Sequence, residues 1–167
     1  MLPFPIQKLL SPVPLPVAGR VAQASLRRML HLHPMLFDRL GEFAGRLIVF
    51  HPTDLDLEFG VNPRQRSVRA ARPGGIAGYD TRISGPLVLL LGLAEGRLDG
   101  DAEFFGRQIT VEGDMETALA LRNAVEDASL DFATDLAPRR GPLRQPVWTV
   151  LDWARTALLA REIAQWN

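Results

Sequence analysis

Residues 101–128 read DAEFFGRQITVEGDMETALALRNAVEDA, and the change of period inside this run decides the fold. Arg107 to Glu112 alternates as a strand does, with Ile109 and Val111 on one side. Beyond Gly113 the spacing is helical. Asp114 is placed to cap a helix, and Glu116 suits its first turn, where the helix dipole favours negative charge. Met115, Ala118, Leu119, Leu121, Val125 and Ala128 then form a wide apolar arc, opposite Glu116, Arg122, Asn123, Glu126 and Asp127. The stretch builds an apolar wall and presents no nucleophile, base or metal cluster, which points to binding rather than catalysis. Phe104 and Phe105 at its entry either stack on a guest or seal the core, since aromatics bury large areas in both cases.

Working outward toward the N-terminus, Leu87 to Ala94 is apolar on every side and follows Pro86, a residue suited to a helix start, with Ser84 or Gly85 as the expected cap. A helix without a polar face is either packed on all sides or lines an apolar cavity. Earlier segments alternate. Strands are expected over Arg46 to Phe50, Asp54 to Phe59, Ser67 to Ala71 and Tyr79 to Ser84, joined as a meander by turns at Asn62-Pro63 and Pro73-Gly74-Gly75. In the second of these, Leu55, Leu57 and Phe59 face inward and Asp54, Asp56 and Glu58 form the wet face.

Before the strands, Val17 to about Leu32 has helical period. Ala22, Leu26, Met29 and Leu30 share one face and Arg20, Gln23 and Arg27 another. A short helix after Pro34 turns Leu36, Phe37 and Leu40 inward and ends at Gly41 to Gly45. Residues 1–16 form an apolar arm broken by five prolines, which excludes a helical leader core. Toward the C-terminus, 132–146 has the Pro and Arg content of a linker, and 147–167 is an amphipathic helix with Trp148 and Trp166 on one side. The expected organisation is therefore arm 1–16, helical segment 17–42, core domain 43–131, linker 132–146 and terminal helix 147–167.

A chain of 167 residues and 18.5 kDa suits one core with appendages. Its 19 basic and 19 acidic residues cancel, so the global charge of a nucleic-acid binder is missing and no nucleic-acid partner is expected. There is no cysteine, which excludes disulfides, thiolate catalysis and Cys-based metal sites and is compatible with the cytoplasm. The longest apolar run, Leu87 to Leu91, is far shorter than the ~20 residues of a spanning helix. His31 and His33 lack a third ligand near in sequence, and Asp99, Asp101 and Glu103 lack the remaining positions of a calcium loop. Nucleophile-elbow, P-loop and dinucleotide-binding glycine patterns do not occur. Neither a metal nor a cofactor is expected.

The order of strands, apolar helix, Phe104-Phe105, strand, Gly113-Asp114 and helix resembles the sterol carrier protein type 2 superfamily. Within it, Phe104-Phe105-x-Arg107-x-x-x-x-Glu112-Gly113-Asp114, followed by Leu119 and Arg122-Asn123-x-x-Glu126-Asp127-Ala128, is most similar to the UbiT-type family of accessory factors in oxygen-independent ubiquinone biosynthesis. The resemblance implies an α/β (α+β) fold: a mixed or antiparallel sheet of about five strands, covered by helices around an apolar lipid cavity. It implies a non-catalytic protein that binds an isoprenoid quinone precursor or another lipid, with UbiU- and UbiV-type hydroxylation proteins as partners and an oligomer open. Two other readings compete, a generic phospholipid or fatty-acyl carrier and a membrane-surface scaffold with a self-filled cavity. The expected lipid-binding residues are Leu87, Leu90, Leu91, Phe104, Phe105, Ile109, Val111, Met115, Leu119 and Val125. Expected membrane contacts on the cytoplasmic face are Phe4, Ile6, Leu9, Leu10, Arg20, Arg27, Trp148 and Trp166, helped by the Arg64, Arg66, Arg69 and Arg72 cluster.

Overall fold

The computed structural model describes residues 14–95 and 108–130. Helix α1 (Leu15–Leu32) leads through a turn and a 3-10 segment (Asp38–Gly45) into the strands β1 (Ile48–Pro52), β2 (Glu58–Asn62), β3 (Ser67–Ala71) and β4 (Thr81–Gly85). Helix α2 (Leu87–Ala94), strand β5 (Thr110–Gly113) and helix α3 (Met115–Ala128) follow. The five strands form one sheet in the order β3-β2-β1-β4-β5. The α+β class and the mixed five-stranded sheet agree with expectation.

The meander does not. Strands β1, β2 and β3 are successive antiparallel neighbours, but β4 crosses back to lie parallel to β1, and β5 then pairs antiparallel with β4. Asp80 sets this arrangement. Its carboxylate accepts from the Leu47 N–H at 2.8 Å and from Arg46 at 2.9 Å, while its own N–H donates to the Leu47 carbonyl at 2.9 Å. The entrance of β4 is thereby tied to the entrance of β1, which fixes a parallel register.

Three local expectations also change. The strand expected at 54–59 begins at Glu58, because Pro52 and the Leu55 N–H close a turn (3.1 Å) and Asp54 is used elsewhere: its Oδ1 accepts from the Leu87 N–H at 2.9 Å. That bond caps α2 from 33 residues upstream, in place of Ser84 or Gly85, and Pro86 itself occupies the cap position without a side-chain bond. The helix expected after Pro34 is a turn and a 3-10 segment, in which Gly41 (φ 54°) makes a kink rather than an end. Leu36, Phe37 and Leu40 are nevertheless buried, as their spacing required.

Glu58 overturns the wet-face reading most plainly, since its side chain is fully buried. Register explains it. Ile48, Phe50, Phe59, Val61 and Ile83 are cross-strand partners on one face of the sheet, so their neighbours Val49, Glu58 and Arg82 point to the other. There the β3–β4 connection folds over the sheet, and Ile76 lies so close to Gly60 that a Cβ on that glycine would stand 3.0 Å from it. Glu58 pins this connection by accepting from the Gly74 and Ile76 N–H groups (3.1 and 2.7 Å) and from Arg82 (3.0 Å). Arg82 stacks over the Tyr79 ring at 5.9 Å.

On the opposite face lie the helices. The core joins Leu26 and Leu30 of α1, Leu40, Ile48, Ile83, Leu89 of α2, Ile109, and Leu121 and Val125 of α3. Leu89 is completely buried, a burial that contributes about 1.5–3 kcal/mol. Gln23 does not share the outer face with Arg20 and Arg27. Its amide donates to the Arg66 carbonyl (3.1 Å) and accepts from the Val68 N–H (2.9 Å), which seats α1 against the edge strand β3.

The capping role read for Asp114 holds. It accepts from the Glu116 N–H at 3.0 Å and from the Thr117 hydroxyl at 2.6 Å. The Thr117 hydrogen bond holds the carboxyl below its ordinary value of 3.8, against the opposing effect of partial desolvation. A lowered value means that the stabilisation is present above the unfolded-state pKa and is lost as pH falls through the folded-state value. Asp114→Asn keeps the cap but cannot titrate. Thermal midpoints recorded from pH 7 to pH 3 should therefore fall less steeply below about pH 4 in D114N than in the parent.

Candidate functional site

Between the sheet and the helices lies an apolar cavity of about 340 Å³, at the lower end of the range for small-molecule sites, about 300–1,000 Å³. The sheet supplies its floor through Ile48, Phe50, Phe59, Val61, Val68 and Ile83, the side chains that the register turns to this face. Helix α1 supplies one wall with Ala22, Ser25, Leu26 and Met29, continued by Leu36 and Phe37. Leu87, Leu90, Leu91 and Leu93 of α2 close a second side, and Ala118, Leu121, Arg122 and Val125 of α3, with Leu130 beyond it, a third. The position of α2 explains how it can be apolar all round: one side packs into the core through Val88 and Leu89 and another faces the hollow.

Polar groups are few in this lining: among the described residues they are Ser25 and Arg122. Arg122 is half-exposed, and its Nε donates to Glu126 at 2.8 Å across one helical turn. The adjacent Asp127 pairs with Arg39 at 2.9 Å and ties α3 to the 3-10 segment. The Arg122-Asn123-x-x-Glu126-Asp127 pattern thus places Arg122 in the lining, with its guanidinium engaged by Glu126, and braces the helix carrying it. The lining, among the described residues, holds neither a carboxylate nor an imidazole, and what it offers is desolvation of an apolar guest. Among the described residues no group of three or more His, Asp or Glu could hold a metal ion, and no helix is long and apolar enough to cross a membrane.

Of the lipid-binding positions expected from sequence, Leu87, Leu90, Leu91 and Val125 line the cavity. Ile109 is buried in the core beside it and Val111 packs against that core from the short edge strand, so both act as support rather than lining. Met115 and Leu119 are corrections: they are 46% and 54% exposed, because the face of α3 that meets the cavity is set by Ala118, Leu121 and Val125. Phe104 and Phe105 lie outside the described residues, as do Phe4, Ile6, Leu9, Leu10, Trp148 and Trp166. Arg20 and Arg27 are on the exposed side of α1. From the arginine cluster, Arg72 pairs with Asp56 at 2.8 Å and Arg66 approaches Asp38 at 3.9 Å. Sequence reasoning missed the sheet floor and the α1 wall. Phe59 as an inward strand residue and the 22-26-29 stripe of α1 carry the same periodicity whether they face a hollow or a neighbouring side chain, so pattern alone does not mark them as lining.

Residues 26–126 match the model of the SCP-2 sterol transfer family. Among solved structures, a UbiJ-SCP2 ubiquinone synthesis protein superposes with a TM-score of 0.56 at 17% identity, over 71% of this chain and 98% of its own. Apo sterol carrier protein 2 from Yarrowia lipolytica gives 0.48 at 13% identity, over 68% of this chain and 94% of its own. A sterol carrier protein domain from Helicoverpa armigera gives 0.45 at 17%, over 75% and 87%. No curated protein sequence matches.

Proposed function

The chain belongs to the SCP-2 sterol transfer family, and from that premise we propose that it is a non-catalytic accessory factor of ubiquinone biosynthesis, sheltering the isoprenoid tail of a polyprenylated quinone precursor. The observation that carries this reading is the cavity: about 340 Å³, walled by three helices and floored by the sheet, with Ser25 and Arg122 as the polar side chains of its lining. Each methylene moved from water into such a site gains about 0.8 kcal/mol, so a few isoprene units suffice for firm retention. The ubiquinone assignment draws support from the likeness of fold to the UbiJ-SCP2 ubiquinone synthesis protein and from the UbiT-type pattern around Gly113-Asp114 and Arg122. On this reading the protein works at the cytoplasmic face of the membrane and presents its cargo to ring-modifying enzymes, the UbiU- and UbiV-type hydroxylation proteins among them.

Native mass spectrometry of the purified chain, with analysis of extracted lipid, tests the cargo. A polyprenyl-phenol or polyprenyl-quinone mass supports the reading. Phospholipid alone replaces it with a generic carrier, and an empty protein replaces it with a scaffold whose cavity is self-filled. Occupancy of the cavity itself is tested by Ala22→Phe, which projects a ring inward from α1. The six added carbons take the room of about four methylenes, so binding of a fluorescent prenyl lipid should weaken by roughly a hundredfold, with little change in thermal midpoint.

A further inference from the structure

Ala22, Ser25, Leu26 and Met29 line the cavity at the spacing i, i+3, i+4 and i+7, so they form one stripe along α1, turned away from the exposed Arg20 and Arg27. Ser25 is the hydroxyl in that stripe. A serine inside a helix ordinarily sends its hydroxyl to solvent or back to the carbonyl four residues earlier, which here belongs to Val21. Among the described residues neither that carbonyl nor any other group forms a hydrogen bond with the Ser25 side chain.

The hydroxyl is thus a donor and an acceptor left over in a wall that is otherwise apolar. The second polar residue of the lining, Arg122, is held by Glu126 at 2.8 Å. A water molecule is retained in such a space only with about 2–4 polar partners, more than Ser25 offers. A guest brings its own oxygen and is held everywhere else by apolar contact, so one hydroxyl suffices to fix which end lies against α1. Ala22, small and one turn before Ser25, leaves room beside the hydroxyl for a ring. Leu87, Leu90, Leu91 and Leu93 of α2 face the same hollow and suit a chain.

We propose that Ser25 is a specificity-determining residue of the cavity. Its hydroxyl hydrogen-bonds a neutral oxygen, hydroxyl or carbonyl, at one end of a prenyl lipid, and so orients the guest with that end at α1 and the chain along α2. The inference rests on the reading of the cavity as a prenyl-lipid site and adds to it a choice among guests. A prenyl alcohol, phenol or quinone keeps a partner for its oxygen on entry. Lipids with a charged headgroup must leave that group outside the lining, where one hydroxyl cannot replace its water.

Displacement of a fluorescent prenyl lipid from the full chain by two matched guests, a geranylphenol and the geranylbenzene that lacks its hydroxyl, tests it. Ser25→Ala should weaken the phenol roughly tenfold, the cost of stranding a buried hydroxyl, and leave the benzene within about twofold. Ser25→Thr keeps the hydroxyl and crowds both guests alike, so the ratio of the two affinities should stay within about twofold of the parent's. The thermal midpoint of guest-free Ser25→Ala should not fall, because the hydroxyl has no partner among the described residues. Equal weakening of both guests makes Ser25 plain wall and overturns the proposal, as does a phenol affinity that Ala leaves unchanged. A lower midpoint in the guest-free variant overturns it too, by showing that the hydroxyl works inside the fold. A parent chain that binds neither guest overturns the prenyl-lipid reading and this inference with it, whereas binding of both with a ratio that Ser25→Ala does not move removes the inference alone.

Discussion

Glu58→Ala should destabilise the fold by about 3–5 kcal/mol, the range for removing one partner of a buried ion pair. The cost has two sources. Arg82, 16% exposed, loses the carboxylate it donates to, and the Gly74 and Ile76 N–H groups lose the acceptor that holds the β3–β4 connection on the sheet. Domains of this size are stable by about 5–15 kcal/mol, so the variant should sit near the edge of folding. Urea unfolding followed by tryptophan fluorescence and circular dichroism should show a midpoint lower by about 2 M, given slopes of about 1–3 kcal/mol per M. The control is Glu58→Leu with Arg82→Leu, which removes both charges. It should recover part of the loss, while Glu58→Ala alone should not. An E58A midpoint within about 0.3 M of the parent would show that the pair is dispensable and that the connection is held by Ile76 alone.

Gly113→Ala should be nearly as damaging, for a steric reason. Gly113 has φ 90°, and a Cβ there would overlap the Asp80 carbonyl oxygen, the acceptor of the Asp114 N–H at 2.8 Å. Backbone strain alone costs about 1–3 kcal/mol, and the overlap must add to it by pushing β5 off β4. Gly78→Ala separates the two contributions, because Gly78 also has a positive φ, 69°, yet nothing lies within 4 Å of its missing Cβ. Gly113→Ala should therefore lower the thermal midpoint clearly more than Gly78→Ala. Equal shifts would mean that β5 yields without cost.

Gly113 and Asp114 illustrate what could be read in advance. Asp114 announced itself through local chemistry, a capping residue ahead of a helical period, and the cap is as expected. The requirement on Gly113 is set by Asp80, 33 residues away, and leaves no mark in its own neighbourhood. The same division runs through the molecule. Apolar α2 and the inward faces of α1 and α3 follow from periodicity, which is local. The parallel β1–β4 pairing, the burial of Glu58 and the remote cap from Asp54 follow from register and long-range hydrogen bonds. Alternation at Asp54, Asp56 and Glu58 misled because it reports that two faces exist and not which of them is wet. For the cavity, sequence pattern located α2 and Val125 as wall, but it could not tell a side chain facing a hollow from one facing a neighbour. Met115 and Leu119 fell on the wrong side by part of a turn.

The Gln23 bonds have a consequence for solubility. Strand β3 is an edge of the sheet, and an uncovered edge is a template on which another chain can add a strand. Gln23 occupies the Val68 N–H and the Arg66 carbonyl, so α1 acts as a guard over part of that edge. Because α1 is also a cavity wall, any opening that lifts it to exchange a guest uncovers sticky backbone at the same moment. Empty protein held open should be the aggregation-prone state, and a bound guest or a membrane that keeps α1 in place should act as its chaperone.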